Sequence, residues 1–240
     1  MEVYDSNTLN LSSRFPVDGL VNSVDLTSCS NFNCLYIAGW VDEGIHRVQL
    51  DGATTRWKVK DHPDGLSVTP NPDYYVLVTC RNACKLKEFT TVGTFVREIR
   101  LDKESLAHPL HSIKFDGQFI VSHGWDSDTQ SRVCIVNSTG EVTRVYGDKR
   151  GCAAGQVNTP ERLAIYGDGN VLVADCNNKR VLLLNKTLGY VEELVSTLNS
   201  SSSGLEPWRL CLNISRRQLF VADLTQNDPM VFKIFKVPDG

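Results

Sequence analysis

The chain of 240 residues lacks long apolar segments and an excess of positive charge. No run reaches the roughly 18 apolar residues that a membrane-spanning helix needs. The 25 Lys and Arg residues are outnumbered by 28 Asp and Glu residues, which gives a formal net charge of −3. This balance provides no general attraction to nucleic acid or to anionic lipid. The first residues, Met1–Asp5, lack the basic start and apolar centre of a signal peptide, so we expect a cytoplasmic protein without a membrane partner.

The chain also lacks any Cys-x-x-Cys pair, which argues against a structural zinc site. Two pairs among the eight cysteines flank short turns, Cys29 with Cys34 and Cys80 with Cys84, and an even count permits disulfides. A domain of this size does not need disulfides for stability. We therefore expect reduced thiols, with disulfides as the alternative. The eight cysteines are Cys29, Cys34, Cys80, Cys84, Cys134, Cys152, Cys176 and Cys211.

What the chain does contain is a repeated pattern of short strands without any long amphipathic helix. An apolar strand that ends in a small, polar or acidic residue returns at intervals of about 40 to 50 residues. Strand-only repeats of that period are typical of a β-propeller. The five copies are Leu35–Gly39, Val76–Cys80, Phe119–His123, Leu172–Asp175 and Phe220–Asp223.

The pattern predicts an all-β fold, a single propeller domain covering residues 1–240. Two short strand-like segments precede the first unit and resemble the outer half of a blade. We therefore predict a six-blade plan with five full units and an N-terminal half blade. Either the N-terminal half blade is incomplete, or strands from the two ends of the chain combine in one blade and close the ring. In the second case Leu11–Val17 would be the outer strand of the last unit. The half blade is 1–20, and the units are 21–59, 60–101, 108–147, 158–198 and 206–238.

The fourth unit carries the most specific motif. It reads Asn158-Thr-Pro-Glu-Arg-Leu-Ala-Ile165, and then Asp168-Gly-Asn-Val-Leu-Val-Ala-Asp-Cys-Asn-Asn-Lys-Arg-Val181. This resembles an NHL repeat, and the other units match it with decreasing precision. The chain thus resembles the C-terminal NHL domain of tripartite-motif (TRIM-NHL) proteins. The resemblance implies a recognition domain, with any ubiquitin ligase activity in sequence that is absent here.

Four residues of the repeat pattern have roles that follow from elementary chemistry. Gly65 permits a tight backbone path before the first strand of its unit. Asp175 and Asp223, each at a strand end, can accept hydrogen bonds from turn N–H groups. Arg180 can pair with a carboxylate while its stem covers apolar surface. We expect these four residues to be structural.

The residues that open the first strand of each unit should surround the propeller axis. Two arginines and one histidine among them predict a cradle for a carboxylate, a phosphate or an acidic peptide. The alternative is that Arg162 and Arg209 pair with Glu161, Glu206 or nearby carbonyls. The axial set is Asn22, Gly65, His111, Arg162 and Arg209.

Single-stranded RNA binding is an alternative function, because some NHL propellers bind RNA through a basic face with stacking aromatics. Such binding depends on Lys and Arg that neutralise phosphates. The loops after each second strand instead hold seven acids against two bases, so we expect RNA to be a less favoured partner. The acids are Asp42, Glu43, Asp126, Asp128, Asp175, Asp223 and Asp228, and the bases are Arg81 and Lys179.

A metal-dependent lyase or a lactonase-like enzyme is the other alternative. Some related propellers use several axial histidines on a metal, but here only His111 opens a first strand. A calcium site would need several axial acids or amides, and only Asn22 occupies such a position. We therefore predict no catalytic residue, no metal and no cofactor.

The sequence favours a non-enzymatic scaffold that binds a protein or peptide segment at one rim. Loop aromatics and charged side chains would make the contacts. The predicted contact residues are Trp40, His111, Trp125, Arg162, Trp208 and Arg209.

Overall fold

Five antiparallel sheets form the blades of a propeller in the computed structural model. Blades 1 to 4 each have four strands, and blade 5 has three strands among the described residues. There is no α-helix in this part of the chain, where the only helical segments are three short 3-10 turns. The structure describes residues 2–4, 11–14, 17, 19–20, 22–69, 74–125, 130–196, 206–223 and 231–237.

In every blade the strands follow one another in chain order from the inner to the outer edge. Blade 1 contains β3 (Ser23–Cys29), β4 (Cys34–Gly39), β5 (Gly44–Gln49) and β6 (Thr54–Lys58). Blade 2 contains β7 (Gly65–Val68), β8 (Val76–Cys80), β9 (Lys85–Phe89) and β10 (Phe95–Arg100). Blade 3 contains β11 (Pro109–Phe115), β12 (Gln118–His123), β13 (Arg132–Val136) and β14 (Val142–Tyr146). Blade 4 contains β15 (Pro160–Tyr166), β16 (Asn170–Asp175), β17 (Arg180–Leu184) and β18 (Tyr190–Ser196). Blade 5 contains β19 (Pro207–Asn213), β20 (Gln218–Asp223) and β21 (Val231–Lys236).

Most residues of the second and third strands in blades 1 to 4 are buried, because each blade packs between neighbours. All five residues of β8 are buried, as are all five of β17. Four apolar clusters fill the spaces between consecutive blades, from blades 1 and 2 to blades 4 and 5. The burial of these clusters is the main stabilising contribution to the fold.

The predicted six-blade plan with an N-terminal half blade was wrong. Two short strands, β1 (Glu2–Tyr4) and β2 (Leu11–Arg14), pair with each other in a separate two-stranded sheet. Neither is hydrogen-bonded to a blade strand. Among the described residues β21 is the outermost strand of blade 5, and no strand from the N-terminus pairs with it. The physical reason lies in the composition of β2, where only one of the four residues, Leu11, is apolar. Such a strand offers too little apolar surface to pack as part of a blade.

The innermost strands share a feature that sets up the centre of the molecule. In β3, β11, β15 and β19 the register with the second strand shifts near the start, which marks a β-bulge. A bulge bends the strand and re-aims the next side chain. The residues that follow the shift are Asp25, His111, Arg162 and Arg209, and their side chains converge.

Blade 5 meets blade 1 through polar contacts at this centre. Arg209 forms an ion pair with Asp25 and donates a hydrogen bond to the carbonyl of Val24. Leu26, on the same inner strand of blade 1, remains about half exposed.

No helix among the described residues is long and apolar enough to cross a membrane.

Candidate binding site at one mouth of the propeller

Asp25 is the centre of a buried ion-pair cluster formed by three blades. Arg162 Nε lies 3.3 Å from Asp25 Oδ1, and Arg209 Nε lies 3.2 Å from the same oxygen. The other carboxylate oxygen of Asp25 accepts a hydrogen bond from the backbone N–H of Leu66, at 2.7 Å. Burial by itself acts to raise the pKa of Asp25, but the Arg162 and Arg209 charges outweigh it and hold the pKa below its usual value. Asp25 therefore carries a negative charge at neutral pH.

The two arginines have their donors engaged within the protein. Arg162 also donates to the backbone carbonyls of Glu161 and Asp64. Arg209 also donates to the carbonyls of Trp208 and Val24. Burial, followed by the nearby Arg162 charge, lowers the pKa of Arg209 to about 10. The predicted anion cradle is thus occupied by a carboxylate of the protein itself.

His111 is buried beside this cluster as a neutral imidazole. Its Nδ1 accepts a hydrogen bond from the backbone N–H of Leu163 at 3.3 Å, so the ring proton is on Nε2, which donates to the carbonyl of Leu66 at 3.0 Å. Burial, followed by the Arg162 charge, lowers the pKa of His111 to about 4. With both ring nitrogens bonded, His111 joins blades 2, 3 and 4.

A row of two tryptophan side chains flanked by two arginines crosses the mouth near this cluster. The rings of Trp125 and Trp208 meet edge to face, with 5.8 Å between centroids. The Arg81 guanidinium lies over Trp125 at 4.9 Å, and that of Arg209 lies over Trp208 at 5.2 Å. We call Arg81, Trp125, Trp208 and Arg209 the Arg–Trp bridge. It connects blades 2, 3 and 5 at the end of the sheets where first strands begin and second strands end.

Trp40 lies at the same end of blade 1 and forms a separate contact. Its ring stacks on His62 with 4.7 Å between centroids, and His62 Nε2 lies 3.5 Å from Glu43 Oε1. Trp40 and Trp125 are 41% and 39% exposed, which is high for aromatic residues in a folded protein. Both tryptophans therefore have surface available to a partner.

Buried carboxyl groups lie beneath the Arg–Trp bridge. Glu161 is 1% exposed, and its Oε2 lies 3.3 Å from Arg162 Nη1, whereas its Oε1 has no hydrogen-bond partner among the described residues. Burial raises the pKa of Glu161 and of Asp64. Asp64 Oδ2 accepts a hydrogen bond from the backbone N–H of Arg81 at 2.9 Å.

The four predicted structural residues all lie in the scaffold around this mouth. A Cβ on Gly65 would lie 2.7 Å from the carbonyl oxygen of Leu110, so close approach of two inner strands, not a left-handed backbone, requires glycine. Asp175 accepts hydrogen bonds from the Asn158 N–H at 2.7 Å and from Arg180 Nε at 2.8 Å. Asp223 accepts one from the Glu206 N–H at 2.9 Å.

Two residues that the sequence reasoning missed are central to the site. The sequence places Asn22 at the axis of blade 1, but the bulge after Ser23 brings Asp25 there. Arg81 follows β8 as one basic residue in a loop, and nothing in the sequence shows that it meets Trp125 of the next blade.

Asp126, Asp128 and Asp228 of the predicted acidic set lie outside the described residues. Among the described residues, no group of three or more His, Cys, Asp or Glu side chains could hold a metal ion.

Comparison with known proteins supports the propeller fold alone. No protein-family model matches the chain, and no curated protein matches it. Among solved structures, the nidogen/laminin complex is 14% identical with a TM-score of 0.69, over 92% of this chain and 81% of that one. Virginiamycin B lyase from Staphylococcus aureus is 14% identical with a TM-score of 0.60, over 100% of this chain and 78% of that one. A protein of unknown function from Bacteroides caccae is 13% identical with a TM-score of 0.69, over 95% and 80%.

Proposed function

We propose that the protein is a non-enzymatic recognition scaffold that binds a segment of a protein partner at the Arg–Trp bridge. The observation that carries this proposal is the contact of Trp125 with Trp208 across the mouth, flanked by two guanidinium groups. Tryptophan and arginine are the residue types that most often dominate the energy of protein interfaces. Here they are held by three blades of a rigid fold, so little entropy is lost when a partner binds.

The charge of the site argues for protein over RNA. Asp25, Asp64 and Glu161 offset Arg81, Arg162 and Arg209, so the mouth has no surplus of positive charge. RNA affinity depends on several lysines and arginines that are free to neutralise phosphates. The fold itself is compatible with an enzyme or with a binding protein, since similar structures include a lyase and the nidogen/laminin complex.

Peptide binding tests the proposal directly. The probe is an array of N-acetylated hexapeptides, attached through C-terminal amides, with every residue pair at the two central positions. We expect the wild-type protein to bind a subset of these peptides, and the double variant Trp125→Ala, Trp208→Ala to lose that binding. Removing such interface anchors reduces affinity by roughly thirtyfold or more, about 2 kcal/mol.

The matched control is Ile214→Ala, at the opposite end of blade 5. Ile214 follows the end of β19, whereas Trp208 lies near its beginning, and Ile214 is 68% exposed. This variant should bind as the wild type does. Thermal melts of all variants show whether the fold is intact. A double variant that is folded and binds the same peptides as the wild type would contradict the proposal.

We also propose that the chain is an NHL-type domain of a tripartite-motif-like protein. The support is the match of residues 158–181 to the NHL pattern. The full transcript tests this, because such a protein would encode a RING and B-box region upstream of residue 1. A transcript that encodes no such region would contradict this assignment and would leave the binding proposal untouched.

A further inference from the structure

Arg81 is the arginine of the bridge with open hydrogen-bonding capacity. None of its side-chain nitrogens donates a hydrogen bond to a residue that the structure describes, and its Nε lies 3.6 Å from Asp64 Oδ1, beyond hydrogen-bond length. The face of the guanidinium lies on Trp125, and the backbone N–H of Arg81 donates to Asp64. The side chain is 22% exposed, so a partner can reach it.

The other two arginines at this mouth differ in that respect. Arg162 donates to Asp25 and to backbone carbonyls, and its side chain is only 5% exposed. Arg209, which is 26% exposed, forms an ion pair with Asp25 and donates to the carbonyls of Trp208 and Val24. Of the three arginines, Arg81 is the one whose side-chain nitrogens donate no hydrogen bond to a described residue, so an approaching anion finds unused donors there. Arginine donors in a fixed plane match the geometry of a carboxylate.

The chemistry around Arg81 distinguishes a carboxylate from a phosphate. Asp64 lies beside it, and Glu161 lies close enough that the Arg81 charge acts to lower the pKa of Glu161. A dianionic phosphate would meet two carboxylates and one available cation, whereas recognition of phosphate uses clusters of arginines. A singly charged carboxylate is the anion that fits this balance.

The backbone N–H groups at the mouth indicate whether the ligand is a side-chain carboxylate or the carboxylate of a chain terminus. Capture of a terminal carboxylate uses several unpaired backbone N–H groups. In blades 1 to 4 the N–H group that follows each second strand is already bonded within the protein. These are the N–H groups of Trp40, Arg81, Gly124 and Cys176, which donate to Asn22, Asp64, His108 and Thr159.

We infer that Arg81 binds the side-chain carboxylate of an Asp or Glu residue in the partner segment, while Trp125 packs against an apolar neighbour of that residue. This inference rests on the proposed function and specifies the chemistry of its ligand. It replaces the expected roles of Arg162 and Arg209, which hold Asp25 instead.

The hexapeptide array and its variants test the inference. Bound central pairs should contain Asp or Glu beside an aromatic or aliphatic residue, and the same peptides with Asn or Gln should bind at least about tenfold more weakly, the usual loss when a charge-assisted hydrogen bond is removed. Arg81→Ala should reduce the affinity for acidic peptides by a similar factor. Arg81→Lys should keep part of that affinity. The matched control is Arg100→Ala, whose side chain is 82% exposed at the outer edge of blade 2 and should have no effect.

The outcomes separate this inference from the proposed function. Peptides bound equally with Glu or Gln, or bound equally by wild type and Arg81→Ala, would overturn the role of Arg81. If that binding still required Trp125 and Trp208, the docking function itself would stand. With phosphoserine added to the residues at the central positions of the array, binding that required the phosphate and was not retained with Glu would contradict the carboxylate assignment. If no peptide bound, or none depended on the tryptophans, both proposals would fail.

Discussion

Arg162 Nε lies 3.3 Å from Asp25 Oδ1, although 137 positions separate the two residues in the chain. The contact joins the inner strand of blade 4 to that of blade 1. Arg209 of blade 5 reaches the same carboxylate oxygen. One aspartate therefore balances one buried and one partly buried guanidinium group and connects the first blade to the last two.

The first prediction concerns Asp25. Asp25→Asn keeps the shape of the side chain but removes its charge, which leaves the buried Arg162 and the partly buried Arg209 without their common partner. Loss of one member of a buried ion pair costs about 3–5 kcal/mol. We expect a decrease of that size in the free energy of unfolding in urea. Asp168→Asn, at an exposed turn of blade 4, should change it by less than about 0.5 kcal/mol, and equal effects of both variants would contradict the central role of Asp25.

The second prediction concerns pH. The pKa of His111 is lowered to about 4, so the unfolded chain binds a proton below about pH 6.5 while the folded chain does not. Stability should therefore fall as the pH drops from 6.5 towards 4, by about 1–2 kcal/mol between pH 7 and pH 5 from this residue. The charged groups that act on His111 are Asp25, Arg162 and Arg209.

Urea unfolding of wild type and His111→Gln at pH 7 and pH 5 measures this effect. The variant should lose less stability on acidification than the wild type. Carboxyl groups with raised pKa values act in the opposite direction, but they are present in both proteins and cancel in the comparison. His123, whose pKa is also lowered to about 4 by burial, should behave in the same way when replaced by Gln. Identical losses in wild type and variants would contradict the neutral state of these histidines.

The third prediction compares two aspartates in equivalent positions of blades 4 and 5. Asp175 accepts hydrogen bonds from the Asn158 N–H, the Asn178 amide and Arg180, whereas Asp223 accepts one from the Glu206 N–H and lies 3.9 Å from Lys233. Asp175→Ala should cost about 3–5 kcal/mol, because it removes the nearer and more buried of the two carboxylate partners of a mostly buried arginine and leaves only Glu193. Asp223→Ala should cost about 1–2 kcal/mol. Urea unfolding of the two variants measures the difference, and a larger loss for Asp223→Ala would contradict the assigned networks.

The fourth prediction concerns the thiols. All eight cysteines are free, of which Cys152 and Cys211 are exposed and the other six are buried. Burial raises the pKa of Cys80, Cys134 and Cys176 to about 12, which suppresses the reactive thiolate. A thiol reagent such as Ellman's should modify the exposed Cys152 and Cys211 before the other six in the native protein, with Cys211 the slower of the two because burial raises the pKa of its thiol. It should modify all eight in denaturant without reductant. Fewer than eight in denaturant would indicate disulfides.

The repeat pattern was informative about the second strands because the signal for each one lies within a few consecutive residues of the sequence. The five apolar second strands were placed correctly, since each carries a continuous apolar run bounded by turn residues. The number of blades could not be read in the same way. A short segment such as Leu11–Arg14 has strand character in isolation, and its partner strand is decided by packing that the sequence does not display.

The site was harder to predict because its contacts join different blades. Trp125 and Trp208 were expected to contact a partner, but their contact with each other depends on how the blades curve round the axis. Asp25 was missed because a one-residue bulge changes which side chain turns inward. The roles of Arg162 and Arg209 depend on Asp25, so the same bulge explains why a free anion cradle was expected.

Hydrogen exchange of the wild-type protein with a peptide selected on the array tests the central claim most directly. If the Arg–Trp bridge is the docking surface, the peptide should slow amide exchange near Arg81, Trp125 and Trp208. The turns at the opposite end, around Phe32 and Ile214, should exchange as in the free protein. Protection at those turns or at the outer strands, with none at the bridge, would contradict the account.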